Sequence, residues 1–162
     1  MDLSQENREL ILLEEIANDP DVNQATLAEL LDVAVGTVNW HIKRLVSKGY
    51  IKAKRAQRKK LRYIITPEGI SLRAKLTVQY IENQMRLYRE TRQNVKDLLA
   101  GIRKEGFNQV KITGKSEIAD VCQLTCLEQG FEVVDRDDIP TLEVKGYSVV
   151  LKDKPERETQ AA

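Results

Sequence analysis

Apolar residues recur at helical spacing through the first 48 residues, in three blocks that polar residues separate. The first block predicts a helix over residues 4–17, with Ser4 as its N-cap. A second, short helix is predicted over 24–31. After a tight turn at 32–36, a third helix is predicted over 37–48. The third helix carries one apolar stripe, which consists of Val38, Ile42, Leu45 and Val46.

The pattern changes from helical to alternating after Tyr50. Apolar and polar residues alternate over 51–55 and again over 61–65, with a polar, basic tip between them. This alternation predicts a β-hairpin. Thr66 and Pro67 then provide the N-cap and the first residue of a new helix.

The new helix is predicted to be long, because no helix-breaking residue interrupts residues 70–100. From 74 to 102 its apolar residues follow a 4-3-4-3 spacing, and only Arg92 in that stripe is charged. The stripe is roughly 44 Å long, too long to pack wholly on a small domain. A heptad pattern of this length favours a coiled coil in a homodimer, and the alternative is a helix lying across its own domain. The expected dimer seam consists of Val78, Ile81, Met85, Tyr88, Val95, Leu99 and Ile102.

A second unit is predicted after Gly106, with a strand at 109–113, a helix at 116–129 and further strands at 131–135 and 147–151. A strand, a glycine turn, a helix and a strand match half of a Rossmann-like fold. The predicted fold class is α+β. The predicted domains are an N-terminal winged helix-turn-helix at 1–67, a long dimerising coiled-coil helix at 68–105, a small α/β unit at 106–154, and a disordered tail at 155–162.

The net charge of +1 conceals a strong asymmetry along the chain. Residues 1–32 carry nine acidic residues and one basic residue, whereas residues 33–67 carry ten Lys or Arg and no acid. Such a segment predicts a polyanionic partner bound by one face of the protein. Taken singly, each Lys or Arg is better explained as a solvated surface charge, and the prediction depends on the whole acid-free segment.

Composition excludes several classes of protein. No apolar run exceeds four residues, so no membrane contact is expected, and no secretory signal is recognisable at the N-terminus. Two cysteines and one histidine argue against a disulfide framework and against a multi-ligand zinc site. No nucleophile and base, and no paired carboxylates, stand at catalytic spacing. We therefore expect a cytoplasmic protein that is not an enzyme and that needs no cofactor or metal.

The segment ATLAELLDVAVGTVNWHIKRLVSKGYI resembles the DNA-binding half of MarR-like bacterial winged-helix regulators. The segments GTVNWHIKRL, TPEGI and LTVQYIENQ look like the branch associated with exopolysaccharide and lipopolysaccharide gene clusters, and the resemblance covers about residues 5–105. It implies sequence-specific binding of double-stranded DNA by a homodimeric transcriptional regulator. It also implies a pseudo-palindromic operator and a target in a surface-polysaccharide gene cluster.

The residue types of the third helix and the hairpin support a DNA-binding role independently. Thr37 and Asn39 stand near the start of the helix, where base edges are reached, and Arg44 could pair with guanine. The lysines and the hairpin residues suit phosphate or minor-groove contacts. Trp40 could contact a sugar, a methyl group or the hairpin, or it could pack on a neighbouring side chain. The candidate DNA-binding residues are Thr37, Asn39, Trp40, Lys43, Arg44, Lys48, Lys54, Arg55, Arg58, Lys59 and Lys60.

The C-terminal unit offers a second hypothesis, a small-molecule effector site. Gly114, Lys115 and Ser116 stand at a strand-to-helix turn, where backbone amides can bind an anion, and Asp135 ends the next predicted strand. The GxGxxG fingerprint and the upstream glycine of a P-loop are both absent. The alternative is an interaction or dimer-stabilising domain without a ligand. A third hypothesis is a winged helix used as a protein-interaction module, although such a module has no need of an acid-free basic segment.

Overall fold

The computed structural model describes residues 4–56 and 60–152. The chain divides into two compact units, Met1–Glu82 and Asn83–Ala162. This division differs from the predicted one, in which residues 68–105 formed a unit of their own. Arg58, Lys59 and the predicted tail at 155–162 lie outside the described residues.

The first unit begins with three helices, α1 (Gln5–Asn18), α2 (Gln24–Leu31) and α3 (Val35–Ser47). The predicted cap of α1 is confirmed, since the Ser4 hydroxyl accepts a hydrogen bond from the backbone N–H of Asn7 at 3.2 Å. Helix α3 begins two residues earlier than predicted. Asp32 adopts a left-handed conformation with φ of 50° at the end of α2, which reverses the chain within three residues.

The predicted hairpin is confirmed with both its strands, β1 (Ile51–Arg55) and β2 (Leu61–Ile65). The strands pair antiparallel, with Ile51 opposite Ile65 and Arg55 opposite Leu61. This hairpin is the wing of the fold. Tyr63 attaches the wing to the helices, because its ring is buried and its hydroxyl accepts a hydrogen bond from Gln24 Nε2 at 3.0 Å. The core beneath is formed by aliphatic residues of all three helices and of the wing, including Leu12, Leu13, Ile16, Leu27, Val38, Leu45 and Ile51.

Helix α4 (Pro67–Lys104) follows the wing directly. The buried Thr66 caps it, as predicted, since its Oγ1 accepts from the backbone N–H of Gly69 at 3.1 Å. The same hydroxyl donates to the backbone carbonyl of Gly49 at 2.6 Å, which joins the start of α4 to the end of α3. Neither α4 nor any other helix within 4–56 and 60–152 is long and apolar enough to cross a membrane.

The second unit contains β3 (Gln109–Thr113), α5 (Glu117–Glu128), β4 (Glu132–Val133), β5 (Thr141–Lys145) and β6 (Ser148–Lys152). The strands form one sheet in the order β4-β3-β5-β6. Strands β3 and β4 pair in parallel around α5, as in half of a Rossmann-like fold. Strand β5, which was not predicted, pairs parallel to β3 and antiparallel to β6. With a winged helix-turn-helix, a long helix and this small unit, the fold is α+β as predicted.

Three residues assigned to the dimer seam require a correction. Val95, Leu99 and Ile102 are no more than 1% exposed and lie in the core of the second unit. They pack there with residues of the sheet and of α5, such as Val110 and Cys122. A helix that packs on a sheet repeats its apolar residues every three or four positions, as a coiled coil does, so the spacing alone could not separate the two.

Candidate nucleic-acid interface

Helix α3 has one buried and one exposed face. Val38, Ile42 and Leu45 are buried, as predicted, and His41 is buried with them. Val46, which the apolar stripe placed inside, is exposed. The opposite face presents Trp40 and Lys43 to solvent, while Thr37 and Asn39 are half-buried. Because the apolar face packs on α1 and α2, the polar face is the one that remains free to meet a partner.

The basic side chains around α3 and the wing are mostly not neutralised by the protein itself. Of the ten Lys and Arg between residues 33 and 67, eight are described by the structure. Six of those eight have no described carboxylate within 4.0 Å. These six are Lys43, Lys48, Lys52, Lys54, Arg55 and Lys60. Each is exposed, so this part of the surface carries a local excess of positive charge that favours an anionic partner.

Arg44 and Arg62 differ from the other basic residues. The Nε of Arg44 lies 3.4 Å from Oε1 of Glu9, and its guanidinium carbon lies 5.5 Å from the ring centroid of Trp40. The Nε of Arg62 lies 3.0 Å from Oδ1 of Asp21. Both guanidinium groups therefore lie close to an acid of their own unit, and Arg62 also donates a hydrogen bond to Asp21 at 3.2 Å.

His41 is a structural residue of this region. Its side chain is buried, and its Nδ1 lies 4.0 Å from Oε1 of Glu9. Burial lowers the pKa of His41 below its ordinary value of 6.5, and the nearby Arg8 and Arg44 act in the same direction against the opposing effect of Glu9. The imidazole is consequently neutral at pH 7.

The predicted dimer residues that are not buried form a stripe on α4. Val78 and Ile81 are each 54% exposed, Met85 is 50% exposed and Tyr88 is 38% exposed. Arg92, the one charge in the predicted seam, forms an ion pair with Glu128 and lies 5.7 Å from the ring of Tyr88. The exposed residues of the predicted seam therefore lie between positions 78 and 88 of α4.

Three of the four candidate ligand-binding residues lie together. Gly114, Lys115 and Ser116 line a shallow pocket of about 460 Å³ between the end of β3 and the start of α5. The Ser116 hydroxyl caps α5 by accepting from the N–H of Ala119 at 3.3 Å. Asp135 does not line this pocket.

The carboxylate of Asp135 instead lies 2.7 Å from the Nζ of Lys111, which Asp137 also contacts at 2.7 Å. Hydrogen bonding to Lys111 lowers the pKa of Asp135. The predicted strand at 131–135 is only two residues long, so Asp135 lies in the loop after it.

Two residues of this region, Lys52 and Glu9, were not among the predicted site residues. Lys52 belongs to the exposed side of β1, and the alternation of the strand was the signal that could have included it with Lys54. Glu9 is only 9% exposed although it is an acidic residue. Its position among the apolar residues of α1 was the available signal, since a carboxylate in such a position requires a partner.

One family model is similar to part of the chain. A family model described as winged helix-turn-helix DNA-binding matches residues 6–52, the segment from α1 into β1. A search of curated protein sequences found no match.

Several solved structures resemble the chain. A MarR protein from Peptoclostridium difficile has a TM-score of 0.45 and 20% identity, over 60% of this chain and 67% of that chain. MepR of S. aureus, solved as a DNA complex, has a TM-score of 0.45 and 20% identity, over 62% and 78%. FabT of Streptococcus pneumoniae, solved with DNA, has a TM-score of 0.41 and 24% identity, over 79% and 75%.

Proposed function

We propose that this protein binds double-stranded DNA at specific sequences and regulates transcription as a homodimer. The observation that carries the proposal is the set of six exposed basic side chains around α3 and the wing that no described acid neutralises. Helix α3 enters the major groove and the wing contacts the backbone of the DNA. Asn39 and Thr37 face base edges, while the lysines neutralise phosphates.

The first test is the fluorescence anisotropy of labelled DNA from upstream of the protein's own coding sequence, with a scrambled duplex as control. Titrations at several salt concentrations separate the two contributions to binding. Each phosphate contact contributes about 0.9 to the slope of log K against log salt. Tighter binding to the upstream DNA with a steep slope supports a sequence-specific regulator. Equal, salt-insensitive binding to both duplexes contradicts it.

The wing is tested by the double variant Lys54→Gln, Lys60→Gln. We expect binding to every duplex to weaken and the salt slope to fall by about 1.8, because two phosphate contacts are lost. The matched control is Lys104→Gln, Lys145→Gln, which removes two exposed lysines from the second unit. If the two double variants change the DNA affinity and the salt slope equally, the wing is not part of the DNA interface.

The homodimer is supported by the exposed apolar stripe Val78, Ile81, Met85 and Tyr88 on α4. We expect Ile81→Asp to yield monomers in sedimentation equilibrium without unfolding the chain, because Ile81 is exposed in the single chain. Leu124→Asp is the control, since Leu124 is equally exposed but lies on α5. A dimer that survives Ile81→Asp would place the seam elsewhere.

Two finer features belong to the same proposal. A two-fold dimer requires a pseudo-palindromic operator, with half-sites about one helical turn of DNA apart or a multiple of it. The regulated genes lie in a surface-polysaccharide cluster. That assignment rests on the resemblance of the segments GTVNWHIKRL, TPEGI and LTVQYIENQ alone.

A second candidate function is the sensing of a small anionic ligand by the second unit. The pocket beside Gly114, Lys115 and Ser116 favours it, because a lysine and the start of α5 meet at the carboxyl end of a parallel strand. A thermal-shift screen of nucleotides and nucleotide sugars tests it, since a ligand that binds only the folded protein raises its Tm. Comparison with Lys115→Gln distinguishes binding at this pocket from binding elsewhere.

A further inference from the structure

Trp40 is the only tryptophan in the chain, and it lies on the polar face of α3. Its side chain is 51% exposed, although a large aromatic ring normally finds cover in the folded core. Lys43, one turn away on the same face, is also exposed. Within the proposed function, this is the face that enters the major groove.

The indole of Trp40 is held in place before any partner binds. The Arg44 guanidinium carbon lies 5.5 Å from its ring centroid, and the ring of His41 meets it edge-on at 4.9 Å. Arg44 in turn pairs with Glu9 at 3.4 Å, and Glu9 accepts a hydrogen bond from Gln5 Nε2 at 3.2 Å. A side chain that is already ordered loses little conformational entropy on binding, so its contacts contribute fully to affinity.

Few groups in the major groove of DNA can pack against an exposed indole ring. Phosphates prefer cations, and the bases of an intact duplex are stacked and offer only their edges. The one apolar group on those edges is the C5-methyl of thymine. Arg44 lies beside the same ring, with its guanidinium carbon 5.5 Å from the ring centroid and its Nε 3.4 Å from Oε1 of Glu9.

We propose that Trp40 determines specificity by contacting the C5-methyl group of a thymine in each half-site. Arg44 and Glu9 are positioning residues that hold the ring, rather than residues that read a base. The proposal rests on the proposed DNA binding.

The experiment begins with the full chain and a pool of random DNA duplexes, from which the tightest binders are selected. Each thymine of the selected sequence is then replaced by deoxyuridine, one at a time. Deoxyuridine keeps every hydrogen-bonding group and lacks only the methyl group. We expect one position per half-site to lose about fourfold in affinity, the value of one buried methyl-sized group. At that position Trp40→Ala should bind the thymine and deoxyuridine duplexes equally, and Trp40→Phe should retain part of the preference.

Two variants test the positioning roles. Arg44→Ala and Glu9→Gln should each reduce the preference for thymine over deoxyuridine and alter the fluorescence of Trp40 in the free protein. If Arg44 reads guanine instead, Arg44→Ala leaves the thymine preference intact and relaxes specificity at a guanine. That result would overturn the positioning role.

The results of these experiments distinguish failure of the thymine contact from failure of sequence-specific DNA binding. If selection enriches a sequence but no deoxyuridine substitution alters affinity, Trp40 does not read a methyl group and the inference is wrong. If selection enriches no sequence at all, sequence-specific binding fails, and the inference fails with it. If Trp40→Ala changes the affinity for thymine and deoxyuridine duplexes by the same factor, the ring contacts the DNA backbone or another protein.

Discussion

Replacing Thr66 by valine should destabilise the first unit strongly, because one hydroxyl connects three of its elements. Thr66 Oγ1 accepts from the N–H of Gly69 at 3.1 Å and donates to the carbonyl of Gly49 at 2.6 Å. The side chain is buried and its bond to Gly69 lies inside the protein, so water cannot replace that bond. Valine has nearly the same shape, and the substitution therefore removes the hydrogen bonds and leaves the packing in place.

The magnitude follows from the two bonds. Loss of an N-cap hydrogen bond costs about 1 kcal/mol, and a buried polar group left without a partner costs about 1–3 kcal/mol more. The expected loss for Thr66→Val is about 2–4 kcal/mol. Thr66→Ser is the matched control, because it keeps both bonds and loses one methyl group, worth about 1 kcal/mol.

Urea unfolding followed by Trp40 fluorescence is the assay, since the only tryptophan lies in the same unit as Thr66. With a slope near 2 kcal/mol per molar urea, the midpoint should fall by about 1–2 M for valine and by about 0.5 M for serine. If valine and serine shift the midpoint equally, or if valine shifts it by less than serine, the hydroxyl does not connect the wing, α3 and α4 as described.

Three further predictions concern other parts of the fold. Gly69→Ala should destabilise by at least about 2 kcal/mol, because the new Cβ would lie 2.0 Å from the carbonyl oxygen of Tyr50. Circular dichroism during unfolding checks this. The free energy of unfolding should fall as the pH drops below about 6.5. Burial lowers the pKa of His41 in the folded protein, so the unfolded state binds a proton at this residue more readily than the folded state does. His41→Gln should flatten that decline, and parallel pH profiles would refute it. Thiol reagents should label native Cys122 and Cys126 only slowly, because both are buried and the contact with Cys122 raises the pKa of Cys126. Fast labelling in the absence of urea would contradict the buried placement.

The Gly69 prediction has a control in the same helix. Gly101 also lies in α4, but a Cβ added there meets nothing within 4 Å. Alanine favours helices by about 1 kcal/mol over glycine, so Gly101→Ala should stabilise the chain. If Gly69→Ala lowers the free energy of unfolding and Gly101→Ala raises it, then the close approach of Tyr50, rather than helix propensity, governs position 69.

The sequence by itself determined the elements of the first unit. Both wing strands and the caps Ser4 and Thr66 were predicted correctly, because alternation and capping depend on neighbours along the chain. The buried face of α3 was predicted for Val38, Ile42 and Leu45 for the same reason. The bounds of α1 and α3 differed by one or two residues, and Val46 is exposed although the apolar stripe placed it inside.

Only the tertiary structure decided what covers each surface. The stripe on α4 has one spacing throughout, yet Ile81 is exposed while Leu99 is buried against a sheet that follows later in the chain. Likewise, β5 is a strand because it pairs with β3 and β6, and this pairing is a feature of the tertiary structure.

The candidate sites show the same difference between what a pattern along the chain predicts and what the packing of the elements decides. Arg44 was predicted to read a base, and this stays a prediction. Its proximity of 3.4 Å to Glu9, which is distant in sequence, became visible only in the packed structure. Asp135 was expected beside Gly114, and Lys111 engages it instead. Periodicity records how side chains are arranged around one element. The partner of a charge or of an apolar face comes from elsewhere in the chain, and that information appears only when the elements pack.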